Sequence, residues 1–438
     1  MLTLLAYSMV VVFMALIMTK RLPAVVALIV IPILFGLFGG FGISLGPMMM
    51  DGIKKLAPTG VMLMFAILYF GIMIDAGLFD PAVRVILRLV GGDPMKVVVG
   101  TAVLAMIVGL DGDGSTTYMV TGAAMLPLYF RLGISRLVFA CVVMMSSHNM
   151  NLLPWGGPTA RATSALSLEM SDVFVPLIPA MVITAAWVLF VAYILGMRER
   201  KRLGIVSLGD VDPEHPEATL VGNDPSLLRP KLLWLNFALT VGLIATLIWG
   251  KFPLPVLFMV AFAIAISVNY PNLQIQKERI AHHAENVLPV VALIFAAGIF
   301  VGILSGTKMV DAIADSVIRG VPTWMGPYMG LVTAALSLPF TFFISNDAFY
   351  FGIIPILAKT AAVYGFTPAE IARASLIGQQ VHLLSPLVAS TYLLVGLAKI
   401  EFGDHQRYTL LWAISAAAVM TLAVFGLGVV PLVRHAAG

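Results

Sequence analysis

Long apolar segments alternate with short polar passages along most of the chain. A helix needs about 20 apolar residues to cross a bilayer, so segments of this length predict ten crossings. We place the ten crossings at 2–19, 22–43, 56–78, 134–165, 173–196, 231–249, 253–271, 287–307, 370–396 and 407–433. The pattern therefore predicts an all-α polytopic membrane protein with five transmembrane helices in each half.

Two further apolar stretches, at about 95–131 and 324–365, are interrupted near their middles by polar residues. The interruptions are Asp111–Thr117 and Ser345–Asp347. Glycine is a weak helix former, and carboxylates are costly in lipid. Irregular backbone is tolerated at membrane depth only where protein or a wet cavity surrounds it. Each stretch is therefore predicted to be a re-entrant hairpin with a polar tip.

Polar passages recur in the same order in the two halves, which predicts an internal repeat. The pairs are Phe70–Asp80 with Val301–Asp311, Leu110–Tyr118 with Ile344–Tyr350, and His148–Pro158 with Gln379–Thr391. We divide the chain into a first repeat, 1–196, a polar linker, 197–230, and a second repeat, 231–438. Because five crossings is an odd number, the second repeat is predicted to be inverted. Most lysines and arginines fall on the linker side, which predicts a cytoplasmic linker.

Composition narrows the class of protein further. Of the 438 residues, 60% are hydrophobic and 11% are charged, and the mean hydropathy is +1.00. This composition excludes a soluble globular protein and indicates a multi-pass protein of the inner (plasma) membrane. The net charge of +4 is spread over short loops, so nothing indicates nucleic acid as a partner. The single cysteine, Cys141, excludes a disulfide within the chain.

Polar residues at the predicted tips and helix interruptions are candidates for substrate binding. Hydroxyls, amides and exposed backbone N–H groups at helix ends suit carboxylate ligands. The candidates are Ser115, Thr116, Asn149, Asn151, Gly156, Gly157, Thr159, Ser345, Asn346, Ser385, Ser390 and Thr391. The alternative is structural: such residues also cap half-helices or accommodate kinks.

A second group of residues could couple transport to protons or a metal. Oxygen-rich clusters suit hard cations and protons, and histidine titrates near neutrality. This group is Asp75, Asp111, Asp113, Asp347 and His382, with Asp113 and Asp347 as the principal candidates. Asp75 could instead lie at the membrane interface, and His382 could be a buried, hydrogen-bonded histidine.

Three other ionisable residues receive structural interpretations. His282 and His283 are interpreted as solvated residues of a loop. For Arg161, snorkelling to the membrane interface is preferred over attraction of an anion.

Five longer motifs resemble the citrate–divalent-metal:proton symporter family, CitMHS. They are Gly71–Pro81, Leu110–Met119, Asn151–Arg161, Leu338–Gly352 and Val381–Gly396. The resemblance implies import of citrate complexed with a divalent cation of the Mg²⁺ or Ca²⁺ type, driven by protons. It also implies a homodimer in the lipid bilayer with no permanently bound cofactor. Related dicarboxylate carriers have Ser-Asn-Thr at both tips, whereas Asp111-Gly-Asp-Gly-Ser here favours proton or metal handling over a sodium site.

Other functions are kept as alternatives. One is a proton- or sodium-coupled transporter of another di- or tricarboxylate without metal, and another is a channel-like pathway for simple ions. A more distant one is an intramembrane aspartyl protease, suggested by Asp113 and Asp347 in opposite halves. The usual Gly-x-Gly-Asp spacing is missing, since Leu110 stands where the first glycine belongs. Our sequence-based prediction is a transporter and not an enzyme.

Overall fold

A computed structural model describes residues 2–434 except 20, 113, 205–224, 250, 251, 321, 323, 344, 345, 386 and 387. Within these residues the secondary structure is helical, as predicted. The helices are α1 Leu2–Met18, α2 Ala24–Phe38, α3 Leu45–Asp75, α4 Asp80–Val90, α5 Pro94–Val108, α6 Gly114–Leu132, α7 Arg136–Met150, α8 Gly157–Leu166, α9 Met170–Leu203, α10 Leu233–Trp249, α11 Leu254–Asn269, α12 Leu273–Gly306, α13 Met309–Gly320, α14 Met329–Phe343, α15 Ile354–Ala362, α16 Pro368–Ser375, α17 Gln379–His382, α18 Ala389–Ala398 and α19 Phe402–Gly426.

The helices α3 and α12 form a long antiparallel pair. They contain 31 and 34 residues, which corresponds to lengths of about 46 and 51 Å. Both begin well before the predicted crossings, because charged residues near their N-terminal ends, such as Asp51 and Lys277, interrupt the apolar pattern. Gly52 allows the backbones to touch, since a Cβ there would lie 1.9 Å from the carbonyl oxygen of Gly298.

Each predicted hairpin consists of two helices that meet at the polar passage. In the first half, α5 leads through a single turn at Gly109–Asp111 to α6. In the second half, α14 is followed across the tip by a π-helical turn, Ala348–Ile353, which continues into α15. The amphipathic helices α4 and α13 precede the two hairpins.

The helix of each half that follows the hairpin is broken. Between α7 and α8 the chain leaves the helical path at Asn151 and resumes it at Gly157. In the second half α17 ends at His382, and α18 begins at Ala389. The first gap contains Pro154 and Gly156, and the second contains Pro386, which explains why neither helix continues.

Seven helical segments of the described chain are long and apolar enough to cross a membrane. They are Gly42–Asp75, Pro94–Asp111, Met170–Leu203, Pro225–Leu247, Leu273–Gly306, Gly326–Phe343 and Phe402–Gly426. This number differs from the ten predicted crossings. Two of the seven belong to the predicted hairpins, whereas the broken helices and the shorter helices α1, α2 and α11 are too short to be counted.

The predicted linker begins later than expected. Helix α9 continues to Leu203, seven residues beyond the predicted boundary at 196, because Arg198–Arg202 extend the helix past its apolar part. Residues 205–224 of the linker lie outside the described residues.

Candidate functional site

The two tips and the two broken helices meet around one cavity of about 680 Å³. This volume is in the range of small-molecule sites. Polar side chains on its wall come from both halves and include Asp75, Asp111, Thr116, Asn151, Arg161, His283, Asn346, Asp347, His382 and Ser390. The backbone of Gly112 and Gly157 also contributes to the wall. Residues that are far apart in the sequence therefore line one polar cavity inside an apolar helix bundle.

An ion pair joins the two halves within this cavity. Arg161, on α8, donates from Nε to Oδ1 of Asp347 at the second tip, at 2.6 Å. The side chains are only 23% and 17% exposed. The preferred sequence interpretation of Arg161, interfacial snorkelling, is therefore wrong. The guanidinium neutralises a carboxylate that would be costly to bury alone.

The second tip is also bonded to its own broken helix. Asn346 and Gln379 form a reciprocal amide pair, with N···O distances of 3.2 and 3.0 Å. The same Gln379 amide donates to the Tyr350 hydroxyl at 3.1 Å. The tip is thus attached at adjacent residues to α17 of its own half and to α8 of the other half.

The first tip is attached to its own half through a tryptophan. Trp155 lies in the gap between α7 and α8, and its Nε1 donates to the carbonyl oxygen of Leu110 at 2.8 Å. Gly112 has φ +80°, and a Cβ there would lie 2.6 Å from the indole Cδ1. This position needs glycine for both its left-handed backbone and its close contact.

Both helix breaks are closed by a threonine at the start of the following helix. Thr159 Oγ1 donates to the carbonyl oxygen of Leu152 at 2.9 Å. Thr391 Oγ1 donates to the carbonyl oxygen of Leu383 in the same way. A carbonyl freed by the break is satisfied in each half, so these two threonines stabilise the interruptions, and both are buried.

Two buried histidines stabilise the break in the second half. His382 Nδ1 lies 2.6 Å from the carbonyl oxygen of Thr341, and because a carbonyl only accepts, this nitrogen carries the proton. His148 Nε2 accepts the backbone N–H of Leu383 at 3.1 Å. The first of these residues also borders the cavity, whereas the second is held inside the bundle.

A further group of ionisable residues borders the cavity at the end of α3. His283 Nε2 lies 2.7 Å from Asp75 Oδ2, and Arg279 Nη1 lies 3.8 Å from the same oxygen. The assignment of His282 and His283 to a loop is wrong, because both lie on α12. His282 is exposed, as expected, whereas His283 is buried. The loop was inferred from the surrounding polarity, which here belongs to the first turns of a long helix.

Not all predicted binding residues lie on the cavity wall. Asn149 is buried and donates to the carbonyl oxygen of Met181 on α9 at 3.2 Å. Gly156 has no room for a side chain, since a Cβ would lie 2.0 Å from the carbonyl oxygen of Asn151. Ser115 and Ser385 are not among the residues that border the cavity. Asp113 and Ser345 lie outside the described residues.

Sequence analysis did not assign Arg161, Gln379 or His283 to the site, and the sequence indicates their positions to different degrees. Arg161 and Gln379 both fall within or beside the recurring polar passages, so a search for charged and amide side chains near the helix breaks could have found them. No local signal distinguishes His283, because its partner is 208 residues away. Among the described residues there is no group of three or more His, Cys, Asp and Glu side chains suited to a resident metal ion.

Comparison with known families accounts for this architecture. Residues 13–378 match the family CitMHS, described as citrate transporter. The chain belongs to the CitMHS family. This is a family of transporters, which excludes the proteolytic alternative.

Two CitMHS relatives from Bacillus subtilis (strain 168) are similar over nearly their whole length. A protein named "Citrate transporter" is 59% identical over 430 residues, covering 98% of this chain and 100% of the relative. A protein named "Mg(2+)/citrate complex secondary transporter" is 51% identical over 433 residues, covering 99% and 100%.

Two solved structures of transporters share the fold of this CitMHS chain. The Alcanivorax borkumensis YdaH transporter superimposes with a TM-score of 0.55 at 15% identity, covering 91% of this chain and 90% of that one. The Neisseria gonorrhoeae protein MtrF has a TM-score of 0.53 at 15% identity, covering 88% and 85%. At this identity the likeness concerns the fold alone.

Proposed function

We propose that this protein is a secondary transporter that imports citrate as a complex with a divalent cation, driven by protons. The observation that carries the proposal is the Arg161–Asp347 pair inside the shared cavity. A cation and a carboxylate side by side match a substrate that itself combines carboxylates with a metal. The names of the two Bacillus subtilis relatives support citrate as the substrate, and one of them supports Mg²⁺ as the accompanying ion.

The charges of the cavity wall favour a complexed substrate over free citrate. The described wall carries three carboxyl groups, of Asp75, Asp111 and Asp347, but one guanidinium, of Arg161. Free citrate, with about three negative charges, would meet predominantly acidic groups. The metal complex carries about one negative charge and brings a cation that carboxylate oxygens can coordinate. It therefore loses less solvation free energy on burial.

The ion pair provides a direct way to receive both parts of such a substrate. A citrate carboxylate that binds the Arg161 guanidinium takes the place of Asp347. The released aspartate oxygens are then free to bind the metal or a proton. The hydroxyl and amide groups of Thr116, Asn151 and Ser390 border the same space and are suited to the remaining citrate oxygens.

The arrangement in the membrane is part of the same proposal. Two inverted repeats, each with a re-entrant hairpin and a broken helix, would expose the cavity alternately to the two sides. We place the linker 197–230 on the cytoplasmic side and the protein in the plasma membrane as a homodimer. Cysteine labelling of single-cysteine variants in whole cells would test the linker's location.

Uptake of labelled citrate into proteoliposomes tests the substrate and the coupling together. We expect uptake to need both an inward proton gradient and a divalent cation, and to stop when a chelator removes the cation from both sides. A panel of Mg²⁺, Ca²⁺, Mn²⁺ and Zn²⁺ identifies the preferred ion. Undiminished uptake in the chelator would contradict the metal complex and favour a free di- or tricarboxylate.

A further inference from the structure

The long helices α3 and α12 are related by a constant offset in the sequence. Pro58 and Pro289 lie within them, and the Gly71-Ile72 pair of α3 recurs as Gly302-Ile303. The residue numbers differ by 231 in each case. Because the helices are antiparallel, this correspondence relates the contacts at one end of the pair to those at the other end.

At one end the helices meet through small and apolar residues. A Cβ at Gly52 would overlap the carbonyl oxygen of Gly298, and a Cβ at Gly302 would lie 2.2 Å from the carbonyl oxygen of Met48. Gly306 also packs on Met48, whose Cγ would be 2.5 Å from an added Cβ. This end is a close contact between two backbones.

At the other end the corresponding residues are ionisable. The offset of 231 places Arg279 at the counterpart of Met48, His283 at that of Gly52, and Asp75 at that of Gly306. Here the His283 ring packs against Gly71, where a Cβ would lie 2.6 Å from its Nδ1. The opposite end shows that the helices associate without such residues, so packing alone does not explain a buried carboxylate and imidazole with a half-buried guanidinium beside them.

The position of this charged end connects it to the transport site. Asp75 and His283 are buried, and both border the cavity that also contains Asp111 and Asp347. Arg279 lies too far from Asp75 for a hydrogen bond, at 3.8 Å, and its Nε is buried without a hydrogen-bond partner among the described residues. The Asp75 carboxylate is thus hydrogen-bonded to His283, and Arg279 forms a longer ion pair with the same oxygen.

We propose that Asp75 and His283 together form a proton-binding site that couples protons to the anionic substrate. The inference rests on the proposed function and identifies the residues that receive the proton. When the pair takes a proton from water in the cavity, one negative charge on the wall is neutralised, which favours binding of an anionic complex. By linkage, the bound substrate favours the protonated pair to the same extent. When the proton leaves, Arg279 remains beside the carboxylate.

Other ionisable groups surround the pair and must be separated from it by experiment. His282 is its exposed neighbour on α12, with a ring centroid 5.0 Å from that of His283. Arg229 donates from its backbone N to the carbonyl oxygen of Ala76, and its guanidinium lies 4.6 Å from the ring centroid of Tyr270. Burial raises the pKa of Asp80, on the amphipathic helix α4, to about 6, and Arg84 opposes the rise.

The pH dependence of citrate binding to the purified protein, measured with Mg²⁺ present, tests the proposal. One linked proton changes the apparent affinity by at most about tenfold per pH unit. We expect the native protein to bind more tightly as the pH falls, and Asp75→Asn and His283→Gln to reduce this change to about twofold or less. His282→Gln, at an imidazole that also borders the cavity, and Asp80→Asn, at a carboxyl group that does not, are the matched controls and keep the native steepness of the pH dependence. A lightly buffered binding experiment with a pH dye should show proton uptake by the native protein and its loss in the two pair variants.

Each outcome bears on the inference in a different way. If the native protein binds citrate without pH dependence, the proton coupling of the proposed function fails, and the inference fails with it. If the native profile is steep and both pair variants keep it, the inference alone is overturned. If Asp80→Asn flattens the profile instead, the proton site lies on α4. Should Asp75→Asn elute as an aggregate, His283→Gln decides, because glutamine keeps a polar side chain of similar size.

Discussion

The two hairpin tips border one cavity, but they are attached in different ways. The first tip is bonded within its own half, through the Trp155 indole and the Leu110 carbonyl. The second tip is bonded both to its own half, through Asn346 and Gln379, and to the other half, through Asp347 and Arg161.

This difference in attachment indicates that the two tips have different roles in substrate binding. A hydrogen bond between an indole and a backbone carbonyl is neutral, so substrate charge has little effect on it. An ion pair can instead be exchanged for a ligand that carries the same charges. We therefore expect the Arg161–Asp347 pair of the second tip to exchange for the charged parts of the substrate, whereas the Trp155 hydrogen bond keeps the backbone of the first tip in place during binding.

Removing the cation of the ion pair should have the largest effect. Arg161→Gln removes the ion-pair partner of the half-buried Asp347 and the proposed citrate anchor, at a cost of about 3 kcal/mol, or roughly 100-fold in transport. Arg161→Lys keeps the charge but not the planar donor group, and should recover only part of the activity. Initial rates of citrate uptake measure both, with the amount of protein in the membrane as the control. Normal uptake by Arg161→Gln would contradict the role of the ion pair.

Removing the carboxylate should change the ion dependence more than the rate. Asp347→Asn frees Arg161 to bind a citrate carboxylate without competition, while the proposed metal ligand is lost. We expect the concentration of divalent cation needed for half-maximal uptake to rise about tenfold, which corresponds to about 1.4 kcal/mol. Titration of the cation at fixed citrate measures this shift. An unchanged cation requirement would show that Asp347 does not contact the metal.

At the first tip, the sensitive feature is backbone geometry. Gly112→Ala places a Cβ 2.6 Å from the Trp155 ring and forces alanine into a left-handed conformation, at a cost of about 1–2 kcal/mol. Gly122→Ala, within α6, is the matched control, because its nearest contact would be an ordinary 3.5 Å from a leucine methyl group. Thermal unfolding in detergent and citrate uptake should both be impaired only in the first variant. Equal behaviour of the two variants would contradict a fixed first tip.

The sequence predicted those parts of the molecule that depend on local chemistry. Apolar length predicted the helices. Proline, glycine and asparagine predicted the break that begins at Asn151, and proline and serine predicted the break after His382. The pairing of distant residues left no such signal. Arg161 and Asp347 are 186 residues apart, and nothing in the sequence around either residue indicates that the other is its partner. The first turns of α3 and α12 were also missed, because their polarity resembles that of a loop when the helix extends beyond the membrane.

Removing the equivalent threonine hydrogen bonds of the two halves should have small and equal effects on stability. Thr159 and Thr391 each donate to a carbonyl freed by a helix break, so Thr159→Val and Thr391→Val should each lose one hydrogen bond, at a cost of about 1 kcal/mol, with little change in shape. Thermal unfolding of the two single variants and the double variant measures these losses. The sites lie in different helix breaks, so the losses should add. A much larger loss of stability for one threonine would mean that the fold depends more on one helix break than on the other. The two halves would then differ at their breaks as well as at their tips.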